Sequence, residues 1–350
     1  VNDELTLQCE DAECRLIETV LRRTLYQWNH FRVDMVVEPF FRIPKAVNGM
    51  TLGLTIEEEV AYTDLENSVG NQFVTDADLD KIKEPVITHD EAETARRLDL
   101  AHDIFDGILD VMPWGVDPYL SLWDPISTWM GMEAALFALI DRPEYVHELL
   151  ERMTNGYLSG LTQLEEQGLL CRQQSLIHCT GAYTDELPKP GYDPAKPRTQ
   201  DLWMFGLAQP LGSVSPRMFK KFEVDYASRI CERFGLVYYG CCDPLHDRMK
   251  YVRMIPNVRK VSMSPWVKEE VGAAEIHGDF VYSRKPNPAH VAMDTFNPDL
   301  VRDALTKTRD LCAQHGNPLE LILKDISTVR YEPQRLTQWA DVAMEVVGAR

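Results

Sequence analysis

Residues 236–240 read Leu-Val-Tyr-Tyr-Gly, a short apolar run of β-forming residues closed by a glycine, and a helical stretch follows it to about Met254. The pattern then recurs. Val258-Arg-Lys-Val-Ser-Met263 is the next strand, and Phe280-Val-Tyr-Ser283 another, followed by a helix from Pro298 to about His315. Leu319-Glu-Leu-Ile-Leu323 is a further strand, and a helix from Glu332 to Val347 ends the series. Strand and helix in strict alternation predict parallel strands joined by helical crossovers. Caps agree with this. Asn297-Pro298 suits an N-cap with proline in the first turn, and Gly316-Asn317 suits the helix end. Leu336, Trp339, Ala340, Ala343 and Val347 recur at helical spacing as the buried face of the last helix.

The first half is less regular. Asp34-Met-Val-Val-Glu38, Ser175-Leu-Ile-His-Cys179 and Leu202-Trp-Met-Phe205 read as strands, and Ile126–Ala138 and Arg142–Gln167 as helices. A Pro/Gly/Asp-rich loop from about Thr180 to Gln200 is long enough to be either a binding lid or a surface insertion. The Glu/Asp/Thr-rich stretch 49–95 is expected to wrap the outside of the fold. The predicted class is α/β, a (β/α)8 barrel over residues 101–350 with an irregular N-terminal extension over 1–100, one domain in all. An open doubly wound sheet gives the same alternation. Neither a G-x-G-x-x-G after a strand nor a Walker A motif is present to support its nucleotide-binding form.

Composition bounds the function. The 350 residues are 45% hydrophobic with a net charge of −19. Such an acidic chain disfavours binding to nucleic acid or to anionic membranes. Eight scattered cysteines form no compact disulfide framework, and neither a signal peptide nor an 18-residue apolar run occurs. A reducing, cytoplasmic setting is expected.

In a barrel, reactive groups come from the C-terminal strand ends and the loops after them. That rule selects Cys241, Cys242 and Asp243 after the first strand quoted, Ser264 and Trp266 after the next, and Arg284, Lys285 and Asn287 after the third. It also selects Lys324, Asp325, Ser327 and Thr328 after the fourth, and His178, Cys179, Tyr183, Asp185 and Glu186 around residue 180. Cations and a carboxylate at one rim suit an anion-binding and proton-transfer site, or a structural ion-pair network. Cys241 is open to three roles: thiolate nucleophile, metal ligand with His178, Asp243, His246 or Asp325, or inert packing. Tyr119 and the tryptophans 28, 114, 123 and 129 read mainly as core.

Phe234-Gly-Leu-Val-Tyr-Tyr-Gly-Cys-Cys-Asp-Pro-Leu245 resembles a strand-and-turn segment of the uroporphyrinogen decarboxylase superfamily. Ser283-Arg-Lys-Pro-Asn-Pro288 and Ile322-Leu-Lys-Asp-Ile-Ser-Thr328 do as well, while Thr184-Asp-Glu-Leu-Pro188 and Ser213-Val-Ser-Pro216 resemble its bacterial decarboxylase-like branch. The resemblance covers roughly 110–348. It implies a (β/α)8 barrel and one of two chemistries: cofactor-free decarboxylation, or methyl transfer involving a corrinoid protein. The Met-Arg-Gln-Ala-Gly-Arg run of true porphyrinogen decarboxylases is absent; Arg32-Val-Asp-Met-Val-Val-Glu-Pro-Phe-Phe-Arg42 stands in that region. The related methyltransferases hold zinc through a His-x-Cys and a later Cys. Here Cys241 matches the first Cys, Tyr239 stands for the His, and Lys324-Asp325 falls near the later Cys.

The resemblance therefore implies a methyltransferase that moves a methyl group between a small ether, amine or thiol and a corrinoid protein. Cys241, Asp325 and His178 are its candidate metal ligands, with zinc as the candidate metal. Tyr239, Lys324 and Asp325 are candidate catalytic groups, while His178, Tyr183, Arg284, Lys285 and Asn287 are candidate substrate contacts. The alternative is a decarboxylase without cofactor, in which Arg284 and Lys285 grip a carboxylate and Asp325 exchanges the proton. A third reading is a non-catalytic barrel that carries a tetrapyrrole or corrinoid. Oligomeric state is not legible in the sequence; a homodimer is one candidate, since dimers are common among soluble barrels.

Overall fold

The computed structural model describes residues 3–54 and 72–348. Its parallel-paired strands, in chain order, are β1 (Phe40–Pro44), β2 (Asp110–Trp114), β3 (Tyr119–Leu120), β4 (Trp203–Gly206), β5 (Leu236–Tyr239), β6 (Val258–Met263), β7 (Val281–Arg284) and β8 (Leu319–Leu321), and two short antiparallel pairs lie apart from them. Strands β3 to β8 form one six-stranded parallel sheet whose spatial order is the chain order. β1 and β2 form a separate parallel pair. The protein is thus a mixed α/β fold around a parallel sheet, with helices α1 (Ala12–His30), α2 (Glu91–Phe105), α3 (Pro143–Glu166), α4 (Glu269–Ile276), α5 (Pro298–His315) and α6 (Gln334–Val346) as its main crossovers and flanks.

The C-terminal elements fall within a few residues of the sequence expectations. Asn297 accepts from the backbone N–H groups of Asp299 and Leu300, Pro298 opens α5, and Gly316 closes it at φ +70. The structure differs from the expectations in four places, three in the earlier half and one after Gly240. Asp34–Glu38 is not a strand; pairing begins at Phe40. The helix expected over 126–138 is two, Trp123–Met130 and Met132–Asp141, broken at Gly131 with φ +80. The stretch after Gly240 holds only a 3-10 turn at Leu245–Asp247 and one helical turn at Met249–Val252. Leu176–Ile177 is no parallel strand: it folds back antiparallel on Thr180–Gly181, with His178 at φ +53 inside the tight turn. Beside this hairpin the Gln174 side chain bonds both Trp203 N (2.8 Å) and Trp203 O (3.3 Å), so a side chain satisfies part of β4's edge. Within the 49–95 stretch, Thr88–His89 pairs with Val47–Asn48 just before it and α2 begins at Glu91; residues 55–71 lie outside the described residues.

Alternation along the strands sorts the two faces of the sheet. Met204, Val237, Tyr239, Val261, Met263 and Tyr282 join the large core packed under the helices, with Trp123, Phe219 and Phe222. Trp203, Phe205, Leu236, Tyr238 and Cys241 form a smaller cluster on the other face. That second face also carries Ser262, Ser283, Lys285 and the Lys260–Glu320 ion pair, at 2.8 Å. Each large apolar side chain buried in the first core contributes about 1.5–3 kcal/mol. Polar and ionisable side chains concentrate on this second face.

Candidate functional site

Gly240 positions the site. It sits at φ +93, and a Cβ there would lie 2.4 Å from Leu245 Cδ1, so only glycine makes this turn. The turn breaks the alternation of β5. Tyr238 and Cys241, not Tyr239 and Cys241, end on the same face. Asp243 then secures the turn by accepting from Cys241 N at 2.9 Å, while Ser262 Oγ donates to Cys241 O at 2.5 Å.

Around Cys241 the expected strand-end groups meet. Lys324 Nζ donates to Cys241 Sγ at 3.1 Å and stands 3.5 Å from Asp325 Oδ1. Cys242 Sγ is 3.6 Å from Cys241 Sγ and donates to Asp325 Oδ2 at 3.3 Å. Burial and the neighbouring Cys241 and Asp325 push the Cys242 thiol up to about 12, so it is a protonated donor. Lys324 is held above the usual lysine range: burial opposes its charge, and Cys241, Cys242 and Asp325 together more than offset that. Asp325 adopts φ +58 to reach this position. His178 stacks on Phe205 with ring centroids 4.0 Å apart; burial, then Lys324 and Lys285, lower its imidazole to about 4, so it is neutral at physiological pH.

Beneath lies a hydroxyl-lined floor. Lys285 Nζ is 2.9 Å from Tyr238 OH and bonded to Ser262 Oγ, and Tyr238 OH is 2.9 Å from Ser283 Oγ. Cys179 Sγ is 3.9 Å from the same phenol. Burial lowers Lys285, and burial raises Tyr238. Tyr238, Ser262 and Ser283 were not among the expected site residues. Period-two alternation back from Lys285 through Ser283 was the available signal.

Three expected members are elsewhere. Tyr239 faces the helices, donating to Glu223 Oε1 at 2.9 Å, and burial lifts it well above the phenol range; it is removed from the Cys241 cluster. Arg284 also points to the helix side, bonding Ser264 O at 2.6 Å and Glu269 Oε1 at 2.6 Å, so this guanidinium is committed to a buried ion pair rather than to a ligand. Asn287 is exposed and accepts from Ala289 N at 3.0 Å as a helix-start residue. Tyr183 is exposed on the rim, its hydroxyl 3.5 Å from Glu38 Oε1. In the 180–200 loop, Glu186 pairs with Arg259 at 2.8 Å and Trp203 Nε1 donates to Ala182 O at 2.9 Å, which tie the loop to the body.

Among the described residues no group of three or more His, Cys, Asp or Glu is arranged to hold a metal ion. The zinc set expected from Cys241, Asp325 and His178 does not fit as arranged. The Lys324 ammonium stands between Cys241 and Asp325 where a cation would, and the His178 ring is engaged with Phe205. No described helix is long and apolar enough to cross a membrane. No family model matches the chain, and no curated protein matches it.

Proposed function

We propose that the chain is a (β/α)8-barrel methyltransferase of the uroporphyrinogen decarboxylase superfamily, acting between a small methyl ether, amine or thiol and a corrinoid carried by a partner protein. The strand order of β3 to β8, parallel and in chain sequence, supports a barrel. The resemblance of residues 234–245, 283–288 and 322–328 supports the superfamily. The observation that carries the chemistry is the Lys324 ammonium set against Cys241 at the sheet's C-terminal end.

Methyl transfer leaves the bond's electron pair on the donor heteroatom. An ammonium held charged beside that atom meets the developing anion and supplies its proton. Cys241 and Asp325 hold the ammonium in place. His178, neutral and stacked, forms an apolar-to-polar wall, and Tyr183 lies at the rim. All eight cysteines are free, which supports a reducing, cytoplasmic setting.

The test is incubation of the purified chain with cob(I)alamin and a panel of aryl methyl ethers, methylamines and methyl thioethers, following methylcobalamin by absorbance and the demethylated product by mass. Lys324→Ala is expected to slow transfer by roughly a hundredfold, the scale of a lost general acid. Full activity in both Lys324→Ala and Cys241→Ala sinks the assignment. The convergence of Lys324 and Lys285 on one mouth favours a second reading, a carboxy-lyase. There the same incubation without cobalamin releases carbon dioxide from a carboxylated substrate.

A further inference from the structure

Two lysines lie on the inner face of the sheet, and they are treated differently. Lys260 is paired with Glu320 at 2.8 Å. Lys285, at the end of β7 and 1% exposed, has no carboxylate partner among the described residues. Its hydrogen bonds go to two hydroxyls, Tyr238 OH and Ser262 Oγ. A buried ammonium without a counter-charge is the expensive state. A neutral amine suits these surroundings, because its lone pair accepts from a hydroxyl. The methyl-transfer reading leaves this amine unused.

We propose that Lys285 is the nucleophile of an imine-forming site that takes small oxo acids. The geometry supplies each part. The amine lies one side chain below the mouth: half-buried Cys179 is 3.9 Å from the Tyr238 hydroxyl that bonds Lys285. Lys324 adds a second cation close enough to act on Lys285, shared with Cys241 at 3.1 Å and more loosely with Asp325 at 3.5 Å, and an oxo acid's carboxylate would compete with Asp325 for it. In the reaction the Lys285 nitrogen attacks the carbonyl carbon, and the carbonyl π pair moves to oxygen. Nitrogen gives up its two protons in turn, and the oxygen leaves as water, with Tyr238 relaying the protons. Carbonyl plus amine gives imine plus water, with no oxidant or reductant. The facing groups favour the neutral nucleophile: burial and Lys324 lower Lys285, while Cys179, Cys241 and Asp243 oppose them, and Tyr238, Ser262 and Ser283 bring no charge at neutral pH.

The experiment uses the full chain, pyruvate and acetone as probes, and sodium cyanoborohydride to reduce any imine to a stable secondary amine. Peptide mapping by mass spectrometry then locates the adduct. The expected result is one pyruvate adduct per chain at Lys285, half-maximal at a lower pH than labelling of exposed lysines, and absent in Lys285→Arg. Lys324→Gln should reduce trapping of pyruvate relative to acetone. Adducts confined to exposed lysines in a folded wild-type chain overturn the proposal. An unchanged pyruvate-to-acetone ratio in Lys324→Gln overturns the oxo-acid assignment. If Lys285→Arg does not fold, the wild-type map alone decides between adduct and none. No corrinoid is present, so failure here is distinct from failure of methyl transfer.

Discussion

Glu223 offers a stability test that reads the interior directly. It lies in a π-helical turn, Lys220–Val224, wholly buried behind the Cys241 turn. Oε1 accepts from Tyr239, and Oε2 has no partner. Burial, then the carboxylates of Asp243 and Asp124, raise its acid from 4.5 to about 8, although the Tyr239 hydrogen bond pulls the other way. Below pH 4.5 both folded and unfolded chains hold the proton, and stability carries no penalty from this group. As pH rises from 4.5 to about 8 the unfolded chain ionises and the folded chain does not, so stability falls until the folded acid also ionises. At about 1.4 kcal/mol per unit, the full span is worth about 5 kcal/mol, of which about 4 is expressed between pH 5 and pH 8. Glu223→Gln keeps the shape and the acceptor for Tyr239 but cannot ionise. Its stability relative to wild type should therefore rise by about 4 kcal/mol between pH 5 and pH 8. Urea unfolding at several pH values, followed by fluorescence of the seven tryptophans, measures it. A constant offset between the two proteins across that range refutes the reasoning, whatever its size.

Three further outcomes are expected. Arg284→Ala strands Glu269 in a buried site and should destabilise the chain by about 3–5 kcal/mol in the same urea assay, with no effect on ligand binding beyond that of lost fold. Gly240→Ala forces a left-handed alanine against Leu245 and displaces the Cys241 turn, so it should lose about 1–3 kcal/mol together with nearly all activity, read as urea midpoint and turnover. His178, lowered to about 4, should show no movement of its ring proton resonances between pH 8 and pH 5, whereas a shift centred near 6.5 contradicts its placement beside Lys324 and Lys285.

The parallel strands were legible because a strand buried on both faces reads as an unbroken apolar run, as Leu236-Val-Tyr-Tyr does, while Val258–Met263 shows its strand character by β-branched and apolar positions buried only toward its end. The N-terminal half was less so, since its breaks rest on single backbone states: Gly131 at φ +80 splits one helix, and His178 at φ +53 turns an apparent strand into a hairpin. The site divides in the same way. Strand-end position selected Cys241, Cys242, Lys324 and Asp325, whose contacts form one chain of hydrogen bonds. Facing was the missing quantity. Counting by two from Cys241 selects Tyr239, but the glycine between them reverses the side, so the phenol at the site is Tyr238. The same count separates neighbours on β7: Arg284 goes to Glu269 and Lys285 to the hydroxyls. Two adjacent cations that look like one anion grip thus serve opposite faces. An Arg284 variant reports on the fold and a Lys285 variant on the site, and a double substitution confounds the two.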